Sequence, residues 1–251
     1  MRLGALLGPI LDPGQPDALA EQARTFAGEG FTSLWSAQAI GRGFMMTDPL
    51  IALTVAASVT DDVEVGTAVL QIPLYEPMDL ANRVFSLQQI AGDRFLFGVG
   101  AGSTAADYAV HGRSYEQRFA AFEETLAALR GIFATGGRGD ANLNPWPSVV
   151  GGPPLLYGTW GKGVARAAQE FDGWIASGMH RTPAQVAEAA VGFNAAGGGR
   201  SIVSTIQISG QTDLGELKEA LSVYAGAGFD DAVVMLLPGS PKPAAVRKLV
   251  D

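Results

Sequence analysis

The sequence predicts one (β/α)₈ barrel, and three observations carry that expectation. Short runs of β-branched and aromatic residues alternate with longer helical runs from end to end, the pattern of a parallel sheet with crossover helices. The alternation can be counted out to eight βα units. The length, 251 residues, suits one α/β barrel better than any other single-core domain.

The first strand is expected over 3–8 and its helix from about Pro16 to Gly28, with Leu19, Ala23, Phe26 and Ala27 on one face. Gly30 closes that unit and the second strand is Ser33–Ser36. A Gly- and Met-rich loop over 39–47 leads to a helix opening at Asp48-Pro49, an N-cap acid followed by a proline suited to the first helical turn. The third strand is placed over 63–70, its helix over 77–90, and the fourth strand over 94–99, running into Gly98-Val99-Gly100-Ala101-Gly102-Ser103. A helix over 115–133 precedes a Gly-, Asn- and Pro-rich stretch, 135–154, read as a loop insertion within a single domain of residues 1–251. The remaining units are a strand at 155–158 with a helix at 163–170, a strand at 172–177 with a helix opening at Thr182-Pro183, a strand at 201–209 with a helix opening at Thr212-Asp213, and a strand at 231–237 with a terminal helix from about Pro241. A doubly wound sheet would want Gly-x-Gly-x-x-Gly after its first strand. Gly8-Pro9-Ile10-Leu11 lacks that spacing.

Composition narrows the function classes. Hydrophobic residues make up 47% and charged residues 17%, so a large core is expected and disorder is not. With no Cys, disulfides, thiolate metal sites and Cys nucleophiles are excluded. The net charge of −8, without a Lys/Arg cluster, argues against nucleic acid or an anionic membrane as partner. The apolar run at Met1–Leu7 is too short for a secretory signal, and no run of about 18 apolar residues occurs. A cytoplasmic protein with a small-molecule substrate is expected.

Barrel active sites lie at the C-terminal ends of the strands. The segments this selects hold no paired carboxylates, no His-Glu-x-x-His and no Gly-x-Ser-x-Gly, and the chain has only two His, His111 and His180, so no metal site is expected. A barrel poor in acids and bases fits chemistry carried by a bound cofactor. The best anion site is Gly158-Thr159-Trp160-Gly161-Lys162-Gly163. It joins a strand to a helix start, where backbone N–H groups converge and the dipole favours a phosphate. The plain alternative is a βα turn that needs glycine for its geometry.

Several motifs occur in order: Gly30-Phe31-Thr32-Ser33-Leu34-Trp35, Gly66-Thr67-Ala68-Val69, Glu76-Pro77, Gly92-Asp93-Arg94-Phe95-Leu96-Phe97-Gly98-Val99-Gly100-Ala101-Gly102, and Phe171-Asp172-Gly173-Trp174. Together they resemble the luciferase-like monooxygenase superfamily, including its F420-dependent oxidoreductases, over nearly the whole chain. The resemblance implies FMN or reduced F420 bound at the strand ends. It also implies hydride transfer to or from a small organic substrate, with or without oxygen activation. It further implies a homodimer through the second and third helices and a non-prolyl cis peptide at Ala68–Val69. The cofactor would rest on Ala68, Val69, Gly100, Gly102 and Ser103, with its phosphate at Gly158, Thr159, Trp160, Gly161, Lys162 and Gly163 and at Ser177, Gly178 and Met179.

The chain departs from the family pattern where proton donors are usual. Gln38 and Ala39 stand where an acid, in some members followed by His, is common; Ala101 stands where luciferases carry Arg; Ser103 stands near the Glu or His of many F420 enzymes. Gln38, able to hydrogen-bond a ring or substrate edge, and His180, able to move a proton near neutral pH, are the catalytic candidates. Arg42, Arg118 and Arg181 are candidates for anionic groups, and Met45-Met46 for an apolar wall. Trp35 and Trp174 are expected in the core, and Trp160 either against the cofactor or capping the barrel. Two alternatives remain open: a non-catalytic flavin-binding protein on the same fold, and a flavin-free barrel isomerase or lyase.

Overall fold

The computed structural model describes residues 1–8, 15 and 17–250. The chain runs β1 (Arg2–Leu6), α1 (Ala18–Gly28), β2 (Ser33–Ser36), α2 (Pro49–Val59), β3 (Glu64–Thr67), β4 (Leu70–Gln71), α3 (Pro77–Ala91), β5 (Phe95–Gly100), α4 (Ala105–Val110) and α5 (Arg118–Thr135). It continues β6 (Gly137–Arg138), β7 (Ala141–Asn142), β8 (Leu155–Gly158), α6 (Gly163–Glu170), β9 (Gly173–Ser177), α7 (Pro183–Ala195), β10 (Arg200–Ile208), α8 (Leu214–Gly226), β11 (Asp231–Leu236) and α9 (Pro243–Arg247). The main sheet is parallel throughout, and the pairing of β3 with β5 closes it into a barrel. Its staves, in order around the barrel, are β1, β2, β3 with β4, β5, β8, β9, β10 and β11. The expected eight-stave barrel is therefore the observed one.

The third stave departs from the single strand expected over 63–70. It is broken into β3 and β4, with a cis peptide at Ala68–Val69. Gly66 pairs with Leu96 and Leu70 with Val99, so this stave carries one residue more than β5 over the same stretch. Other differences are smaller. The first strand ends at Leu6 rather than Gly8, and the expected start of the first helix at Pro16 lies outside the described residues. The helix expected over 115–133 begins at Arg118, and a short helix, α4, precedes it. The 135–154 insertion is not structureless: it folds as an antiparallel β6–β7 hairpin followed by a 3₁₀ turn at Pro147–Val149.

Helix starts follow local chemistry. The Asp48 carboxylate accepts from the N–H groups of Leu50 and Ile51 with Pro49 in the first turn, Thr182 and Gln185 form a reciprocal capping box, and Asp213 caps α8. Two cores result. The outer one lies between staves and helices and holds Leu34, Leu53, Leu80, Phe97, Phe133, Trp174 and Phe193. The inner one fills the barrel with Leu6, Trp35, Ala68, Leu96, Leu156, Ile175, Ile202 and Val233.

Trp35 spans the barrel and is fully buried, its indole N–H donating to Ser33 Oγ at 2.8 Å. A Cβ on Gly66 would lie 2.4 Å from the Trp35 ring, so glycine there makes room for it. Burying an indole removes roughly 150–250 Å² from water, which stabilises by about 4–6 kcal/mol before entropic costs at ~25 cal/mol/Å². Beneath that layer four charges plug the N-terminal end. Arg200 pairs with Glu64 at 2.6 Å and Asp231 at 2.8 Å, and Arg2 pairs with Asp231 at 3.0 Å and Glu64 at 3.4 Å.

Candidate active site at the C-terminal mouth

With the N-terminal end closed by ion pairs, the opposite mouth is where the strand ends open. The candidate residues cluster there along one arc. Gln38 follows β2, Ala68 and Val69 sit between β3 and β4, and Gly100, Gly102 and Ser103 follow β5. Gly158 to Gly163 follow β8, and Ser177, Gly178, Met179 and His180 follow β9. These are consecutive staves around the barrel.

The floor of the mouth is Val69. A Cβ on Gly158 would lie 2.4 Å from Val69 Cγ1, and one on Gly100 2.8 Å from Val69 Cγ2. Those two glycines let the Val69 side chain extend across the top of the inner core. Beside it, Gln38 is fixed at every polar position. Its backbone N–H donates to the Val69 carbonyl at 3.3 Å, its Nε2 donates to the Tyr75 hydroxyl at 2.8 Å, and its Oε1 accepts from the Gln71 N–H at 2.9 Å. One Nε2 proton and one Oε1 lone pair are left.

This network continues through Gln71 and Asp107, which no sequence pattern singled out, to Arg42, whose guanidinium, expected to face an anionic ligand, is instead paired with Asp107. Gln71, almost wholly buried, donates from Nε2 to Asp107 Oδ2 at 2.7 Å, while its Oε1 has no partner among the described residues. Asp107, fully buried, accepts from Arg42 Nε at 2.9 Å and from the Ile40 N–H at 3.3 Å. Burial alone would raise the Asp107 carboxyl, but the Arg42 and Gln71 hydrogen bonds and the Arg42 charge hold it below the usual aspartate range. Burial and the neighbouring Asp48 push the Tyr75 phenol well up. Burial also pushes Tyr108 up to about 12, and its hydroxyl donates to the Ala101 carbonyl. Tyr115 donates to the Ser103 carbonyl at 3.0 Å, which pins the β5–α4 loop.

The β8–α6 turn, expected from its glycines to be an anion site, leaves some of its backbone donors unused. The N–H groups of Gly163 and Val164 turn inward to the Trp160 and Gly161 carbonyls, at 3.3 and 3.1 Å. Those of Trp160, Gly161 and Lys162 have no internal partner among the described residues. Gly161 has φ +62°, and a Cβ there would meet nothing within 4 Å, so space lies open beside the turn. The Trp174 indole N–H holds the turn from behind by donating to the Thr159 carbonyl at 3.0 Å. Across the rim the donors differ from expectation. The Gly178 N–H is engaged by the Ser204 carbonyl at 2.7 Å and that of Met179 by Ser177 Oγ at 3.3 Å, so neither is free for a ligand in this arrangement.

Lys162 and Arg181 flank the turn, and Arg118 lies at the start of α5. Phe122 of α5 stacks on Tyr157 of β8, ring centroids 5.1 Å apart. The Arg118 guanidinium lies 4.0 Å over the Tyr115 ring and donates from NH1 to the Tyr115 carbonyl at 3.0 Å, while its buried Nε has no partner among the described residues. Arg181 lies 4.7 Å over the Trp160 ring, and Lys162 sits in the turn, exposed. None of the three is within ion-pair distance of a carboxylate among the described residues, although the chain carries net charge −8. His180 is exposed and its carbonyl accepts from Arg181 at 2.9 Å. Met45 is 86% exposed and Phe44 53%, so the loop after β2 presents apolar groups to solvent rather than to the core. Trp35 and Trp174 are core residues, as expected. Among the described residues no cluster of His, Cys, Asp and Glu could hold a metal ion, and no helix is long and apolar enough to cross a membrane.

Comparison with known proteins places this architecture. A 4-hydroxyprotoasukamycin monooxygenase of Streptomyces nodosus subsp. asukaensis is 31% identical over 110 residues, covering 41% of this chain and 30% of that protein. A 5,10-methylenetetrahydromethanopterin reductase of Methanolobus tindarius is 26% identical over 97% of this chain and 72% of its own length. The chain thus spans under a third of the first relative and about three quarters of the second. Among solved structures, the monooxygenase RslO1 from Streptomyces bottropensis superposes with TM-score 0.78 at 17% identity, covering 99% of this chain and 97% of that one. The coenzyme F420-dependent tetrahydromethanopterin reductase from Methanopyrus kandleri gives 0.75 at 14% identity, covering 99% and 96%. The oxygenating constituent of 3,6-diketocamphane monooxygenase from Pseudomonas putida, in complex with FMN, gives 0.68 at 17%, covering 88% and 70%. These three likenesses show the fold. The sequence profile of the luciferase-like monooxygenase family matches residues 3–234, and the chain belongs to that family.

Proposed function

We propose that this chain is an oxidoreductase that binds FMN or F420 across the arc of strand ends from β2 to β9 and works on a small organic substrate. The observation that carries the reading is the β8–α6 turn: three N–H groups at a helix start without internal partners among the described residues, with Lys162 in the turn and Arg181 over Trp160, neither of them paired with a carboxylate among those residues. Such a site fits a phosphate, since local fields override net charge. Both proposed cofactors carry a phosphate, and relatives on this fold bind FMN or depend on F420.

When bound, the ring would supply hydride transfer, with or without oxygen. The chain's residues do the rest. The N–H groups of Trp160, Gly161 and Lys162, with the Lys162 ammonium, fix the phosphate end. Val69, with Ala68, Gly100, Gly102 and Ser103, forms the surface under the ring. Gln38, locked by Tyr75 and Gln71, offers its remaining N–H and lone pair to a ring or substrate edge. His180 is the proposed proton-transfer group. The expected dimer also belongs here. No residue of α2 is charged and Ile51 is 59% exposed, and a helix apolar all round calls for cover.

One observation favours a second reading, a flavin-binding protein without turnover. The acids and phenols around Gln38 are poor proton donors at neutral pH, because Asp107 is held ionised and Tyr75 and Tyr108 are pushed up. Titration of the full chain with FMN and with F420, followed by absorbance, tests binding. Turnover with reduced FMN or reduced F420 over a broad acceptor panel then separates enzyme from carrier. Failure to bind either cofactor would sink both readings.

A further inference from the structure

We infer that Arg181 is a phosphate-binding residue of this site, held in place by Trp160, so that the β9–α7 loop and the β8–α6 turn close on the cofactor phosphate from two sides. The inference rests on the proposed cofactor site and goes beyond it by assigning one residue outside the turn.

The side chain is prepared for an anion in three ways. Its guanidinium lies 4.7 Å from the Trp160 ring centroid, a stacking distance that orders the fork without using its N–H groups. Among the described residues only NH1 has an acceptor, the His180 carbonyl at 2.9 Å, and no carboxylate pairs with it. An arginine has five N–H donors, so four remain. The platform is itself rigid: Trp160 leans on Trp174 at 6.3 Å between centroids, and Trp174 is fully buried and donates to the Thr159 carbonyl. The residue that carries Arg181 is therefore the same residue whose N–H opens the turn.

Arg2, Arg42, Arg83, Arg138, Arg166 and Arg200 pair with carboxylates, while Arg94, Arg113 and Arg130 bond backbone carbonyls. Arg181 instead lies on an aromatic face beside unengaged N–H donors. Planar, bidentate recognition of phosphate is what its fork does better than an ammonium. Trp160 gains a role as well: it belongs to the cofactor site through the cation it carries rather than through contact with the ring.

The test is a binding series on the full chain with riboflavin, which has no phosphate, and FMN, which has one, read by flavin fluorescence. F420 is run alongside. Arg181→Met keeps an apolar stem on Trp160 and removes the charge; Arg181→Lys restores the charge without the planar fork. The expected result is that Arg181→Met weakens FMN about ten- to a hundred-fold, the worth of one charge-assisted hydrogen-bonded contact, and leaves riboflavin within about two-fold. Arg181→Lys should recover part of that loss, and Trp160→Leu should weaken FMN more than riboflavin. Equal losses for riboflavin and FMN would show a merely structural residue and overturn the inference, as would unchanged FMN affinity in Arg181→Met. If FMN proves too weak to measure, the same comparison is made with F420 in the wild type and Arg181→Met, with unchanged affinity again overturning it. If the unmodified chain binds none of the three, the cofactor reading falls and takes the inference with it; binding by the unmodified chain with an indifferent Arg181 removes the inference alone.

Discussion

Asp107 shows how one buried charge organises the mouth. It ties the β2–α2 loop, through Ile40 and Arg42, to Gln71 on the third stave. Removing its charge leaves Arg42 without its partner, and Asp107→Asn should cost about 1–3 kcal/mol near neutral pH in chemical denaturation, since Arg42 is partly solvated and an amide keeps some of the hydrogen bonds. The sign of the pH dependence follows from the lowered carboxyl. Its contribution is fully present above the unfolded aspartate value of about 3.9 and is lost as pH falls through the lower folded value. The wild type should therefore keep its advantage above about pH 5 and lose it below about 4. An advantage undiminished in that acid range would refute the assignment.

Gly161 is the second residue to test. At φ +62° a β-branched side chain is strained by roughly 1–2 kcal/mol, but a Cβ there meets nothing. Gly161→Val should leave the fold intact with a small loss of stability and weaken FMN or F420 binding about ten-fold or more by disturbing the N–H groups. Unchanged affinity would remove the turn from the site.

At the scale of elements, α2 and the third stave stand apart. Asp48 caps α2 through two N–H groups, and Asp48→Ala should cost about 1 kcal/mol. The outward face of α2 is the place to test the dimer. Ile51→Lys puts a charge on that face without touching the inner core, and light scattering should show the dimer dissociating at a concentration where the wild type is paired. A wild type that is monomeric at working concentration would discard the proposed dimer.

For the whole molecule, the decisive feature is that ion pairs close the N-terminal end of the barrel. The N-terminal plug joins four staves, β1, β3, β10 and β11, through Arg2, Glu64, Arg200 and Asp231. Glu64 and Asp231 together draw the Arg200 guanidinium further up than burial draws it down. Arg200→Met should leave the fully buried Asp231 and the half-buried Glu64 undercompensated and cost about 3–5 kcal/mol. Cofactor affinity, set at the other end, should change little once the variant is folded. A loss under about 1 kcal/mol would show that the plug is replaceable by solvent.

The chain order of strands and helices was legible in the sequence because each element carries its own local signal. Asp48-Pro49, Thr182-Pro183 and Asp213 mark helix starts by side-chain oxygens that satisfy free N–H groups within three residues. Alternating valines and buried runs mark staves, and the glycines after β8 mark a backbone turned toward a helix start. The motif order was enough to place the chain in its family and to anticipate the cis peptide. The network of Gln38, Tyr75, Gln71, Asp107 and Arg42 was not legible, since its members lie up to 69 residues apart and each, read alone, is an ordinary polar residue. That Lys162, Arg118 and Arg181, each named as a candidate from the sequence, have no carboxylate partner among the described residues was hidden for the same reason: net charge is a sum over the chain, whereas pairing depends on which charges closure of the barrel brings near one another. Only the tertiary structure decided that Gly100 and Gly158 make room for Val69 and that Trp160 carries Arg181, because a close approach between distant segments leaves no trace in local propensity.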